Sequence, residues 1–242
     1  MKAFIGVLAF ASFVSSSPDY PRLQIVDRNM YSPGKKNITI AYLLQGFPSK
    51  DATPSSEVGK WLMMVQKQAE TELTKKLDVP IFLETTRIKV PGDQLSHLLS
   101  TWVSSGYMHA DTVLEYLKTF FRGSFNPDII CLVTEATLYN SRHQNYLGYS
   151  KYTNLCKGFV PMLLHYNNHV KTTGVFLSDL IQNSISPNER SRWSEMTKEE
   201  KELYLDGCNI RYKERNNPNS DEYHPVPIYK DELYKDGEVP EY

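Results

Sequence analysis

The chain has 242 residues, 40% of them hydrophobic and 23% charged, with a formal net charge of −1. That length accommodates one sizeable core, or one domain with tails. Near-neutral charge with no basic stripe argues against a dedicated nucleic-acid binder.

The chain opens with "MKAFIGVLAFASFVSSS", in which Lys2 precedes an apolar run, Ala3–Val14, and small residues follow. This pattern predicts a secretory signal peptide over residues 1–16, cleaved near Ser16 or Ser17, and hence a secreted, extracellular protein. A membrane span needs roughly 20 apolar residues, and no later stretch supplies them, so no membrane partner is expected. Asn37-Ile38-Thr39 is a glycosylation acceptor beside an expected strand. "KDEL" at Lys230–Leu233 is internal and cannot serve as a retention address.

Residues 37–47, "NITIAYLLQGF", predict a strand closed by Gly46 and Pro48. A helix should follow, capped by Ser55 or Ser56, with Val58, Leu62, Val65, Ala69, Leu73 and Leu77 on its buried stripe. "VPIFLETTRIKV" (79–90) predicts a second strand, and Ala110–Phe121 a second helix. "DIICLVTEA" (128–136) is almost continuously apolar, as expected of a central parallel strand covered on both faces. This order implies a βαβαβ layer with right-handed crossovers.

The polar, aromatic stretch 137–158 reads as a surface excursion. "FVPMLLHY" (159–166) reads as a further strand, which Pro161 assigns to an edge. "GVFLSDLIQNSIS" (174–186) is a helix with apolar neighbours around Ser178, Asp179 and Gln182. A short charged helix, "MTKEEKELYLDGC", runs into Cys208. Residues 209–242 form a tail poor in aliphatics, read as disordered or loosely draped. Within it "SDEYHPVPIYKDELYKDGEVPEY" carries seven acids against two lysines, which makes Tyr223, Tyr229 and Tyr234 candidates for sulfation.

Of three cysteines, Cys131 lies in the apolar strand and suits a buried thiol. Cys156 and Cys208 lie in polar surroundings and are the expected disulfide in an oxidising compartment; the alternative is a free Cys156 with an intermolecular role. Closing that loop contributes roughly 4 kcal/mol in the chain-entropy model. His165 and His169 are spaced for a zinc pair on a helix, but Tyr166 stands where H-E-x-x-H has Glu, and the segment reads as a strand end and turn. No G-x-S-x-G elbow, Walker loop or dinucleotide fingerprint is present.

Over residues 37–208 the order of features resembles the reprolysin branch of the metzincin zinc proteases, especially the salivary metalloproteases of ticks, and the related 28-kDa metastriate tick salivary family. "NPDIICLVTEATL" resembles their Asp-led apolar strand. Leu147, Gly148, Tyr149 and Cys156 of "YLGYSKYTNLC" correspond to their Gly-Leu-Ala-Tyr segment and its cysteine, and "KGFVPMLLHYNNH" to the edge strand before the active-site helix. "RSRWSEMTKEEKELYLDGC" resembles their C-terminal stretch, which also supports pairing of Cys156 with Cys208.

The resemblance implies an α/β, metzincin-like (zincin) mixed sheet over residues 17–208, mainly parallel with an antiparallel edge strand and flanked by helices. Where the family carries A-H-E-L-G-H-N, this chain has "LSDLIQN". Ser178 falls on the first zinc-binding His, Asp179 on the catalytic Glu, Gln182 on the second His and Asn188 on the third. Ile185 replaces the turning Gly, and Met196 lies in no recognisable Met-turn. An alcohol and two amides are weak donors for zinc. Losing three imidazoles removes roughly 10 kcal/mol or more of binding. The resemblance therefore implies a pseudoprotease without cofactor, binding host extracellular proteins. Zinc enters only under the alternative of an active endopeptidase with non-standard ligands such as His165, His169 and a carboxylate. The competing reading of Ser178, Asp179 and Gln182 is a polar patch with internal hydrogen bonds.

Overall fold

The structure, a computed structural model, describes residues 23–27, 36–122, 126–214 and 224–225, with side chains over 36–122 and 126–208. The expected signal peptide and Tyr223, Tyr229 and Tyr234 lie outside the described residues and side chains.

The frame is a five-stranded sheet built from β2 (Lys36–Gln45), β3 (Ile81–Lys89), β6 (Ile129–Thr134), β9 (Gly148–Tyr149) and β10 (Val160–His165), in the order β3-β2-β6-β10-β9. Four strands are parallel, and only β9 runs antiparallel to its neighbour. The sheet is thus mainly parallel with an antiparallel edge strand, flanked by helices. Register alternation divides the apolar runs between two faces. Ile38, Ile40, Tyr42, Leu44, Cys131 and Val133 face α1 (Glu57–Leu77) and α4 (Val170–Asn183). Leu43, Ile130, Leu132 and Leu163 face α2 (Asp93–Thr101) and α3 (Ala110–Phe120).

Local chemistry fixes the boundaries. The Ser56 hydroxyl accepts from the Gly59 amide 2.9 Å away and caps α1, whose last turn carries Lys75 and Lys76. Thr197 and Glu200 form a capping box that opens α6 (Lys198–Asp206). Asp128 Oδ2 accepts from the Thr39 amide (2.8 Å) and hydroxyl (2.7 Å), while the Asp128 amide donates to Thr39 Oγ1 at 2.9 Å. This reciprocal clamp sets the register of β2 against β6.

Four sequence expectations need correction. The strand containing Pro161 is internal: β10 pairs with β6 along its length and with β9 at Leu163 and Leu164. Only its first half, where Pro161 sits, lacks a second neighbour, so the proline is tolerated locally. The true edge strand is Gly148–Tyr149. The excursion at 137–158 is structured, supplying β7 (Thr137–Tyr139), β8 (Gln144–Tyr146) and β9. Together with β4 (Val103–Ser104) and β5 (Tyr107–His109), β7 and β8 form a second, four-stranded sheet. The helices α2 and α5 (Pro187–Arg192) were not expected. Finally, the tail begins as strand β11 (Ile210–Glu214), which pairs antiparallel with β1 (Leu23–Asp27) and with β12 (His224–Pro225).

Cys156 and Cys208 are bonded across a sequence separation of 52, while Cys131 is free and buried. Asn37 lies in β2 opposite Phe82, half-buried, near the strand's start. Lys118 of α3 lies beneath the excursion, donating to the Phe159 carbonyl with its ammonium 4.2 Å from the Phe159 ring centroid.

Replacing Thr39 by Val removes both hydroxyl bonds of the clamp and should lower unfolding free energy by about 1–3 kcal/mol, read from urea titration. Burial pushes Lys118 down to about 8. An unfolded lysine titrates near ~10.4, so between those values the unfolded chain binds more protons and stability rises with pH. Burial raises Tyr42 and Tyr204 above the ordinary tyrosine value, so above about 10 the folded chain retains protons and stability falls. Lys118→Met should therefore flatten the rise in stability with pH above about 8, read from urea titrations across that range.

Candidate functional site

Helix α4 is launched by a tightly bonded turn. Asn167 Nδ2 donates to the His165 carbonyl (2.8 Å), and Asn167 Oδ1 accepts from the His169 amide (2.7 Å) and from the Thr173 hydroxyl (3.2 Å). The Asn167 carbonyl accepts from Trp61 Nε1 at 2.7 Å, which ties the turn to α1. Tyr166 packs edge-on against Trp61 and Phe47.

Past the turn, α4 presents distinct faces. Thr173, Leu177 and Ile181 are buried. Gly174 meets α1 so closely that a Cβ there would lie 2.5 Å from Gln68 Cβ and 2.9 Å from the Val65 carbonyl oxygen. One turn later Ser178, fully buried, donates to the Val175 carbonyl (2.7 Å) and accepts from Lys76 Nζ (2.8 Å). The same ammonium donates to Asp179 Oδ1 at 2.6 Å. Leu180 points towards β9, where a Cβ on Gly148 would come within 2.8 Å of its Cδ1, and Phe176 is exposed.

The polar residues of α4 are therefore drawn onto α1. Ser178 and Asp179 share one lysine; Gln182 is half-buried beside them in sequence; Asn188 is exposed on α5. A divalent ion does not fit this set, because the Lys76 ammonium already bonds its one carboxylate and repels a second cation, and the remaining donors are an alcohol and two amides. Ser178 and Lys76 have the separation of a nucleophile and its base, but the serine is sealed from substrate. His165 Nδ1 stands 3.2 Å from the Ala136 carbonyl, and His169 is the exposed N-cap of α4. Among the described residues no group of three or more His, Cys, Asp or Glu could hold a metal ion. Burial raises the Cys131 thiol far above its ordinary value, so it is no nucleophile.

Two features escaped sequence reasoning. Lys76 sits in an ordinary charged helix end, and its partners lie more than 100 residues away. The excursion is held by tyrosine–carboxylate bonds: Tyr149 to Asp111 Oδ1 (2.9 Å) and Tyr152 to Glu115 Oε2 (3.0 Å), with Lys151 2.7 Å from Glu115. Bonds from Lys151 and then Tyr152 lower the Glu115 pKa.

Lys76→Met should cost about 1 kcal/mol, since Asp179 stays half-exposed and Ser178 keeps its bond to Val175. Gly174→Val should cost more, roughly 1–3 kcal/mol or above, by forcing α1 and α4 apart. Thermal unfolding of both variants would rank them.

No protein-family model matches the sequence, and no curated protein matches it. Among solved structures the chain is similar to archaemetzincin from Methanopyrus kandleri, with 12% identity, a TM-score of 0.39, and coverage of 72% of this chain and 88% of that one. It is also similar to archaemetzincin from Archaeoglobus fulgidus complexed with malonate (11% identity, TM-score 0.30, 62% and 78% covered). A third similar structure is a zinc-dependent peptidase from Methanocorpusculum labreanum (13% identity, TM-score 0.33, 69% and 99% covered).

Proposed function

We propose that this chain is a secreted, non-catalytic binding protein on a metzincin-like frame, a pseudoprotease of the tick salivary kind acting on host haemostatic or immune proteins. One observation carries the reading: the Lys76 ammonium bonds Ser178 and Asp179, the residues that the sequence resemblance aligns with a zinc-binding imidazole and the catalytic carboxylate. Metal-assisted hydrolysis needs an ion that acidifies water and a base beside it. Here the aligned carboxylate is committed to a lysine, and the aligned ligand is a buried alcohol. The partner-facing surface is the exposed side of α4 at Phe176 together with the aromatic segment 144–152. Tyr223, Tyr229 and Tyr234 of the acidic tail are candidates for sulfation, which would add negative charge for basic partner surfaces.

The protein secreted with its own signal peptide should contain far less than one zinc per chain and show no chelator-sensitive cleavage of a peptide library. Stoichiometric zinc that disappears in the His165→Ala/His169→Ala double variant, together with chelator-sensitive cleavage, would replace this reading with that of an active endopeptidase.

A further inference from the structure

A separate cavity of about 310 Å³ lies on the opposite side of the sheet, where α2 starts and α3 ends. Leu43 and Leu95 form its apolar floor; Pro91, Phe120 and Phe121 supply its sides. It opens near the carboxyl ends of β2 and β3, where ligands of parallel α/β sheets commonly bind. Its volume is at the small end for ligand pockets, enough for roughly ten non-hydrogen atoms at about 30 Å³ each.

The charge at its mouth comes from an irregularity in β3. Ile40 pairs with Thr85 but Ala41 pairs with Arg87, so Thr86 is an extra residue and the alternation reverses beyond it. Leu83 and Ile88 both pack on the α1 side, and Lys89 is left beside Leu43 on the cavity side, with Arg87 on the same face. Neither Arg87 nor Lys89 forms an ion pair with a carboxylate among the described residues. Loss of hydration, then repulsion from Arg87, lowers the Lys89 pKa, as expected of a cation lacking a counter-ion. Gly92 caps α2 without a side chain, so no side-chain cap claims the first amides of the helix, whose opening residues line the cavity. Asp93 is exposed there too, so the lining itself carries one acid and one base, with Arg87 on the same strand face two residues before Lys89.

We propose that this cavity binds a small amphiphilic carboxylate, its apolar body on Leu43, Leu95 and Phe121 and its anionic head at Lys89. A neutral apolar guest leaves the cation unmatched, and a hydrophilic anion leaves the apolar floor wet. The inference is independent of the proposed loss of peptidase activity.

Octanoate, with ten non-hydrogen atoms, is the probe, titrated calorimetrically into the full chain at low ionic strength against 1-octanol. Octanoate should bind one per chain with Kd on the order of 0.1–1 mM, and 1-octanol roughly tenfold more weakly. Lys89→Gln should weaken octanoate about five- to tenfold while sparing 1-octanol. Phe120→Glu, placing a carboxylate at the rim, should weaken octanoate at least as much. Lys89 and Phe120 are both exposed, so thermal midpoints should hold. Absence of octanoate binding to about 10 mM, equal binding of acid and alcohol, or indifference of octanoate to both variants would overturn the proposal.

Discussion

Helices α1 and α4 touch at Gly174, where even a methyl group would sit 2.5 Å from Gln68 Cβ. That close approach fixes the rotation of α4 about its own axis, and the rotation decides what each of its side chains does. Ser178, one turn on, must point at α1 and away from solvent. Buried there, its hydroxyl needs partners, and it finds them in the Val175 carbonyl and Lys76. With Ser178 on α1, Leu180 faces the edge strand and Phe176 faces outward. The apolar packing thus comes first, and the polar contacts follow from it.

The parallel core was legible in the sequence because strands covered on both faces are apolar without interruption, as in Ile129–Val133. Helix α1 was legible through its 3.6-residue stripe and serine cap, and the disulfide through the polar settings of Cys156 and Cys208. The short strands were not. Gly148–Tyr149 is held in the sheet by pairing with Leu163 and Leu164, a non-local contact with no periodicity over two residues. Strand β11 follows the last helix in a polar stretch, and its partner β1 lies at the other end of the chain. Pro161 misled for a related reason: a proline excludes one hydrogen bond, not a whole strand, and β9 is too short to reach it.

The candidate site shows the same limit. Spacing identified Ser178 and Gln182 as polar neighbours on α4, but spacing cannot say which element that face meets. The answer lay in Lys76, whose local sequence, "ELTKKLD", reads as a helix end with basic residues complementing the dipole. Lys75 fulfils that role in solvent beside Glu72, whereas Lys76 is directed to another helix. Adjacent, identical residues thus differ in function because they stand about 100° apart on the helix.

The excursion that leads into β10 is held by a comparable set of non-local contacts. A polar segment of this length would ordinarily keep much of its conformational freedom, and a partner docking on it would have to order it at the moment of binding. Here the ordering belongs to folding. Tyr149 and Tyr152 are bonded to Asp111 and Glu115 of α3; Lys118 of the same helix lies 5.1 Å from the Tyr152 ring centroid; Leu155 takes the Tyr204 hydroxyl; and Cys156 is bonded to Cys208. The anchors fall within eight residues and draw on both faces of the sheet, so folding itself fixes the segment from Tyr149 to Cys156 at several points. A lid that opens and closes over a catalytic centre needs the opposite: few anchors and low local stability. Anchoring this dense is not the construction of a lid.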